Sequence, residues 1–224
     1  MSVSSSGAGE LWKAAVNYGA IGGTRADDLL DHPPRGFRVY ERRSRIGHGD
    51  ARWEHAWQSA LTWGIQRGAG QSVTIVDAPP HISEGTYQPV VFDTGGVPII
   101  SSTRTPEGDV LYGPNGESFI APGDTAVLGL KAGPLHFEAP VRVIYIVDEC
   151  DRRGFAYGTL AGHPERGEIA FIVDRTDDGS VWLTIRSFSR PGSKLTWLGY
   201  PVARFLQKRA MEQYFRSLSA PIGS

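Results

Sequence analysis

The stretch GTLAGHPERGEIAFIVDR, Gly158 to Arg175, gathers the residue types that move protons. His163, Glu165, Arg166 and Glu168 stand close together in it. A histidine changes charge near neutral pH, and a positioned carboxyl group can give or take a proton. Glu168 opens the apolar run IAFIV. Turned inward, its carboxyl would be pushed up by burial into the working range of an acid; paired with an arginine it would serve as base or anchor. The same residues also read as the tip of a hairpin, with Gly162, Pro164 and Gly167 setting the turn and the charges solvating it.

Arg186, in WLTIRSF, alternates onto one strand face with Trp182, Thr184 and Phe188, opposite Val181, Leu183 and Ile185. Inside a cavity its guanidinium would anchor a carboxylate or polarise a carbonyl; on the surface it would lie beside aromatic rings. Glu168, Arg186 and His163 are therefore the candidate catalytic residues. In VRVIYIVDE, strict alternation puts Tyr145 and Glu149 opposite Arg142, Ile144, Ile146 and Asp148. Tyr145, Tyr157 and Thr159 are candidate hydroxyl donors to a bound molecule, and Trp53 and Trp57 candidate wall residues. For the tyrosines and tryptophans the competing reading is core packing with a satisfied polar end.

Metal chemistry has little to stand on. His163-x-Glu165, His136-x-Glu138 and Glu54-His55 are short pairs without an H-E-x-x-H spacing, and the single cysteine, Cys150, excludes a thiolate cluster and an internal disulfide. No G-x-G-x-x-G follows a strand to open a helix, and no phosphate-binding G-x-x-x-x-G-K-[ST] occurs, so no cofactor is expected. A net charge of −1 argues against a nucleic-acid partner. No run of 18 apolar residues and no leader-like opening is present, so a membrane span is not expected and the cytoplasm is the expected location. With 224 residues, 40% hydrophobic, the chain can bury a core without staples.

The elements that must position these groups follow from period. GFRVYERRSRIG, Gly36 to Gly47, is a strand with one solvated face. Trp53, Ala56, Trp57, Ala60 and Leu61 recur at helical spacing, with Asp50 at the start and the Gly68–Gly70 cluster at the end. QSVTIVD is strand-like. PVRVIYIVDE, GFAYGTL, GEIAFIVDR and SVWLTIRSFSR form an antiparallel meander. A helix is expected from about Leu195 to Ser219, with Pro201 bending it or marking its first turn. Residues 1–16 read as an N-terminal segment, partly disordered, and 17–219 as one domain with an extended insertion near 81–122. This order gives an α+β helix-grip plan: a curved antiparallel sheet of six or seven strands around a long C-terminal helix. A mostly apolar cavity of a few hundred cubic ångströms is expected between them.

FAYGTLAGHPERGE, VWLTIRSFSRP and LGYPVARFLQKR, with the earlier NYGAIGGT and GFRVYERRSRIGHGDARWEHA, resemble the uncharacterised protein family (UPF) 0548 from about Asn17 to Leu218. That family is similar to the birch-pollen-allergen and START-like helix-grip superfamily, whose members hold hydrophobic small molecules or lipids and include cofactor-free cyclases, dehydratases and hydrolases. Two departures stand out. Ile169 follows Glu168 where the family pattern usually has a second acid, and the segment from His81 to Pro122 is longer than usual. The resemblance implies a fold and names no reaction; the inserted segment and the polar groups at strand ends favour a cofactor-free enzyme on a hydrophobic substrate, for example a cyclase or isomerase performing spiroketal-type ring closure in polyketide-like metabolism. The alternatives are a non-catalytic carrier of a hydrophobic or lipid ligand, and a protein–protein interaction module. A monomer or homodimer is expected.

Overall fold

The computed structural model describes residues 10–76, 112–113, 116–132, 135–192 and 200–222. Its elements are β1 (Arg38–His48), α1 (Asp50–Leu61), α2 (Gly64–Gly68), β2 (Ser72–Val76), β3 (Thr125–Ala132), β4 (Leu135–Asp148), β5 (Arg152–Thr159), β6 (Glu165–Arg175), β7 (Ser180–Pro191) and α3 (Tyr200–Ser219). Seven strands form one antiparallel sheet in the order β1-β7-β6-β5-β4-β3-β2. The meander β4 to β7 supplies its middle, since short turns between alternating strands force antiparallel neighbours. This is the helix-grip architecture expected from the element order.

The two faces of the sheet bury different things. The inner face carries Val141, Val143, Phe155, Tyr157, Phe171, Val173, Leu183 and Ile185, packed against Trp53, Trp57, Trp63 and Ile65 of the α1–α2 region and Met211, Tyr214, Phe215 and Leu218 of α3. Each such side chain contributes about 1.5–3 kcal/mol through burial. The stripe predicted for α1 is buried in full. That helix ends at Leu61, however, and Trp63 turns the chain into α2 with a left-handed φ of 63°. Pro201 lies in the first turn of α3, where its missing N–H costs nothing. Gly68 of α2 lets α3 approach closely: a Cβ there would meet the Ser217 Cβ at 2.7 Å.

The outer face has a smaller cover. Residues 16–37 lie across it, burying Tyr18 and Leu29 against Phe188. Arg142, on the outer face of β4, donates to the carbonyls of Leu11, Trp12 and Ala14 and so holds the chain just before that cover. Val16 forms a bridge with Leu160. The insertion expected at 81–122 lies mostly outside the described residues, as does the Ser/Gly-rich start. No helix among the described residues is long and apolar enough to cross a membrane.

Candidate functional site

Glu168 lies on the outer face, opposite Gly158 on one side and Phe188 on the other. It is 2% exposed. Its carboxylate is held entirely by the N-terminal cover. Oε2 accepts from the Tyr18 hydroxyl at 2.7 Å and the Gly22 N–H at 2.8 Å; Oε1 accepts from the Thr24 N–H at 3.0 Å and the Thr24 hydroxyl at 2.5 Å. Four donors converging on two oxygens describe a cradle for a carboxylate. Burial and the facing carboxylate push the Tyr18 hydroxyl far above its ordinary range, which keeps it a donor. Since Thr24 gives its one hydroxyl proton to Glu168, the Tyr145 hydroxyl, 2.7 Å away, donates to Thr24. The Arg25 guanidinium stacks 4.0 Å above the Tyr145 ring. Gly158 makes room for all this: a Cβ there would stand 2.2 Å from the Tyr18 hydroxyl.

Two of the sequence-based expectations change here. Tyr145 shares the outer face with Arg142, because a bulge between Val143 and Tyr145 shifts the β4–β5 register and exchanges the faces beyond it. Glu168 and Arg186 do not meet. Arg186 stands opposite Ala170, its Nε bonds Glu41 at 2.5 Å, and its Nη1 donates to the Ala26 carbonyl at 2.9 Å. Both arrangements fasten the cover and β1 to the sheet.

The inner face holds a different polar group. Trp63 meets Tyr157 with ring centroids 5.9 Å apart, and Tyr157 and Tyr214 both lie against Phe171. The Gln71 amide nitrogen donates to the Tyr214 hydroxyl at 2.7 Å. The Tyr157 and Tyr214 hydroxyls interact with each other, and burial pushes both upward. Among these aromatic rings sit four buried polar atoms that find no hydrogen-bond partner among the described residues: Nε1 of Trp63, Nε2 and Oε1 of Gln66, and Oε1 of Gln71. Gln66 is 0% exposed. Its amide lies near enough to the Tyr157 hydroxyl to influence its titration, yet neither amide atom completes a bond. Trp63 carries the left-handed φ of 63°, a conformation that costs a bulky residue about 1–2 kcal/mol.

His163 and Glu165 are half-buried and share the hairpin end, with Glu165 on the inner face. The His163 Nδ1 lies 2.9 Å from the Glu165 N–H, from which one tautomer accepts, and 3.0 Å from the Glu165 carbonyl, to which the other donates. Burial lowers the His163 value to about 4. Burial raises the Glu165 carboxyl, with a hydrogen bond from Ser189 partly opposing the rise. The carboxyl also acts electrostatically on Tyr157 and Tyr214.

Thr159 is occupied by the fold: its hydroxyl donates to Asn17 Oδ1 at 2.6 Å and accepts from the Gly167 N–H at 2.9 Å. Trp53 and Trp57 are core residues at the far end, stacked by Arg175 at 5.3 Å and Arg153 at 4.4 Å. The Trp57 indole donates to Glu54 at 2.9 Å. Of the sequence-derived candidates, the inner face thus gathers Tyr157 with Gln66, Gln71, Trp63, Tyr214 and Glu165, while His163 stays in the hairpin turn beside Glu165. The sequence singles out Glu165 at the hairpin end but none of the other four. The available signal was two glutamines and a turn tryptophan next to a helix buried along its stripe. Among the described residues, this part of the inner face is lined by the touching rings of Trp63, Phe155, Tyr157, Phe171 and Tyr214. A polar pit of about 100 Å³ opens elsewhere, between His55, Ser59, Thr62 and Glu117. No cluster of metal-binding side chains occurs among the described residues.

A family profile described as a domain of unknown function, DUF1990, matches residues 17–105 and 104–217. The chain belongs to this family. A DUF1990 relative, a UPF0548 protein of Deinococcus radiodurans, is 42% identical over 190 residues, covering 85% of this chain and 81% of its own. A UPF0548 protein of Arabidopsis thaliana is 37% identical over 75 residues, or 31% of this chain and 37% of its own. Human STARD10 is similar in structure, with a TM-score of 0.46 and 8% identity over 84% of this chain and 65% of that one. The fold of this DUF1990 chain rests on its own strand order.

Proposed function

We propose that the protein binds a small, mostly apolar molecule on the inner face of the sheet, with Gln66, Trp63 and Tyr157 holding its polar end. One observation carries this reading. Four polar atoms are buried among aromatic rings without partners among the described residues. Each such atom costs about 1–3 kcal/mol while it stays unpaired, a cost that a ligand supplying the missing bonds removes. The surrounding rings of Trp63, Phe155, Tyr157, Phe171 and Tyr214 suit an apolar body. The Trp63 indole N–H is a built-in reporter. Titration of the ¹⁵N-labelled protein with 2-naphthamide, a neutral aromatic amide, should move the Trp63 indole resonance to saturation. An indole resonance that stays in place throughout would count against the site.

A second reading at the same place is acid–base isomerisation or ring closure of the bound molecule. The half-buried, upward-shifted Glu165 carboxyl and the neutral His163 imidazole favour it, since a carboxyl held up by burial is a better proton donor near neutral pH. Within this proposal Tyr157 orients the substrate, and Glu168 and Arg186 serve as fasteners of the outer cover. Turnover of a hydroxy ketone that disappears in Glu165→Gln, with binding retained, would support the enzyme over the carrier.

A further inference from the structure

Trp63 stands where helix ends normally place glycine. α1 ends at Leu61, Thr62 caps it, and Trp63 follows in the left-handed conformation, with φ 63° and ψ 13°. Its side chain is 1% exposed, with ring centroids 5.2 Å from Phe155 and 5.9 Å from Tyr157. A strained backbone persists only where its surroundings fix it. Two planar peptide units meet at the Trp63 Cα, and Arg67 holds both. Its Nη1 donates to the Thr62 carbonyl, in the unit before Trp63, at 2.6 Å. Its backbone N–H donates to the Trp63 carbonyl, in the unit after, at 3.0 Å. With both planes held, the direction of the Trp63 Cα–Cβ bond is set, and with it the line along which the indole enters the inner face. Arg67 is itself anchored from outside the corner, where Nη1 pairs with Glu117 at 2.8 Å. The segment carrying Glu117 is hooked to the same corner by Ile120, whose N–H donates to the Leu61 carbonyl at 2.9 Å.

Resting on the binding reading above, we infer that Arg67 is a positioning residue for the ligand: with Glu117 it holds the left-handed turn that aims the Trp63 indole N–H at the ligand's polar end. Arg67 acts through Trp63 and not by contact. The Arg67 and Glu117 side chains are each 37% exposed, and a pair so open to water contributes little to stability. Loss of the guanidinium frees one of the two peptide planes and lets the turn leave a conformation that a bulky residue disfavours. Only molecules with the indole in place then bind fully, so affinity falls in proportion to their fraction. A turn kept in about one molecule in five corresponds to a loss of about fivefold. Affinity lost at almost no cost in stability marks a positioning role, and a residue that serves packing alone shows the reverse.

The test is a double-mutant cycle on the full chain, Arg67→Met against Trp63→Phe, read by calorimetry with 2-naphthamide and by the indole resonances of the ligand-free ¹⁵N-labelled protein. Methionine keeps the apolar stem and drops the guanidinium; phenylalanine keeps a ring and drops the N–H. Arg67→Met should lower the affinity by about fivefold or more and move the Trp63 resonance, while that of Trp182, on the outer face of β7, stays in place. In the Trp63→Phe background the same change should have no further effect on affinity, because Arg67 acts through the indole. Thermal melting would establish that each variant is folded. Should Arg67→Met fail to fold, Glu117→Gln, which leaves Arg67 in place and unpairs it, takes its position in the cycle with the same expected direction. An Arg67→Met protein that binds within twofold of wild type would overturn the inference. So would losses that simply add in the double variant. If the wild-type protein does not bind 2-naphthamide, the binding reading itself falls and takes the inference with it, whereas binding with additive losses leaves the site and removes only the role of Arg67.

Discussion

Replacing Glu168 by glutamine should destabilise the protein severely although it changes one atom. The side chain is buried, and each of its oxygens accepts two hydrogen bonds, one from a backbone N–H that cannot become an acceptor and one from a hydroxyl that can: Gly22 and Tyr18 on Oε2, the Thr24 amide and hydroxyl on Oε1. The amide NH₂ of glutamine must take one of these places. Either orientation sets a backbone N–H against an N–H and forces the neighbouring hydroxyl to turn from donor to acceptor. A hydrogen bond to a charged acceptor is worth about 1.5–3 kcal/mol, so losing one outright costs at least that much. In a domain of this size a destabilisation of that order lowers Tm by roughly 3–12 °C. Urea unfolding followed by tryptophan fluorescence measures it, with the slope m unchanged if only stability is affected. Arg186→Gln is the internal contrast. Its pair with Glu41 is partly exposed, and it should cost about 1 kcal/mol or less. A Glu168→Gln protein within about 1 kcal/mol of wild type would refute the reading of Glu168 as a fastener.

Gly158→Ala should cost about 1–3 kcal/mol, because its Cβ would press on the Tyr18 hydroxyl at 2.2 Å. In a Tyr18→Ala background the same change should cost far less, so a double-mutant cycle by chemical denaturation would expose the contact, and additive costs would disprove it. For His163 the folded value of about 4 lies below the ordinary 6.5, so between these pH values the unfolded chain binds the extra proton. Stability should therefore rise with pH from about 4 to 6.5 and, as far as this residue is concerned, level off above. His163→Gln should flatten that rise in thermal melts recorded across the range; an identical profile would show the imidazole to be unperturbed.

The fold was legible because its signals are local. The stripe Trp53, Ala56, Trp57, Ala60, Leu61 is one helix face and is buried as such, and the runs from Val141 to Arg190 alternate cleanly enough to mark four strands. The antiparallel order of β4 to β7 followed from short turns, whereas the β1–β7 and β2–β3 pairs join strands far apart in the chain. What alternation cannot carry is a bulge. One additional residue between Val143 and Tyr145 moved Tyr145 to the outer face, and with it one of the tyrosines read as lining a pocket. The role of Glu168 was similarly hidden. Its partners lie in NYGAIGGTR, far away in sequence, and only the fold brings Tyr18, Gly22 and Thr24 to it. Gln66 and Gln71 carry no motif at all. They stand out only once their surroundings are known to be rings and their amide atoms to be unpaired. Trp63 gave a weak hint as a bulky residue between two helical stretches, but its positive φ belongs to the structure.

The most direct measurement of the central claim is a pair of numbers on one variant, Gln66→Leu: its unfolding free energy and its affinity for 2-naphthamide. Leucine keeps most of the volume and removes two buried, unpaired polar atoms, so a residue kept for a ligand should be dispensable to the fold. The expected result is a stability equal to wild type or higher by about 1 kcal/mol, with the naphthamide affinity reduced on the order of tenfold. A variant destabilised by several kcal/mol with its affinity intact would assign Gln66 to the core and contradict the site.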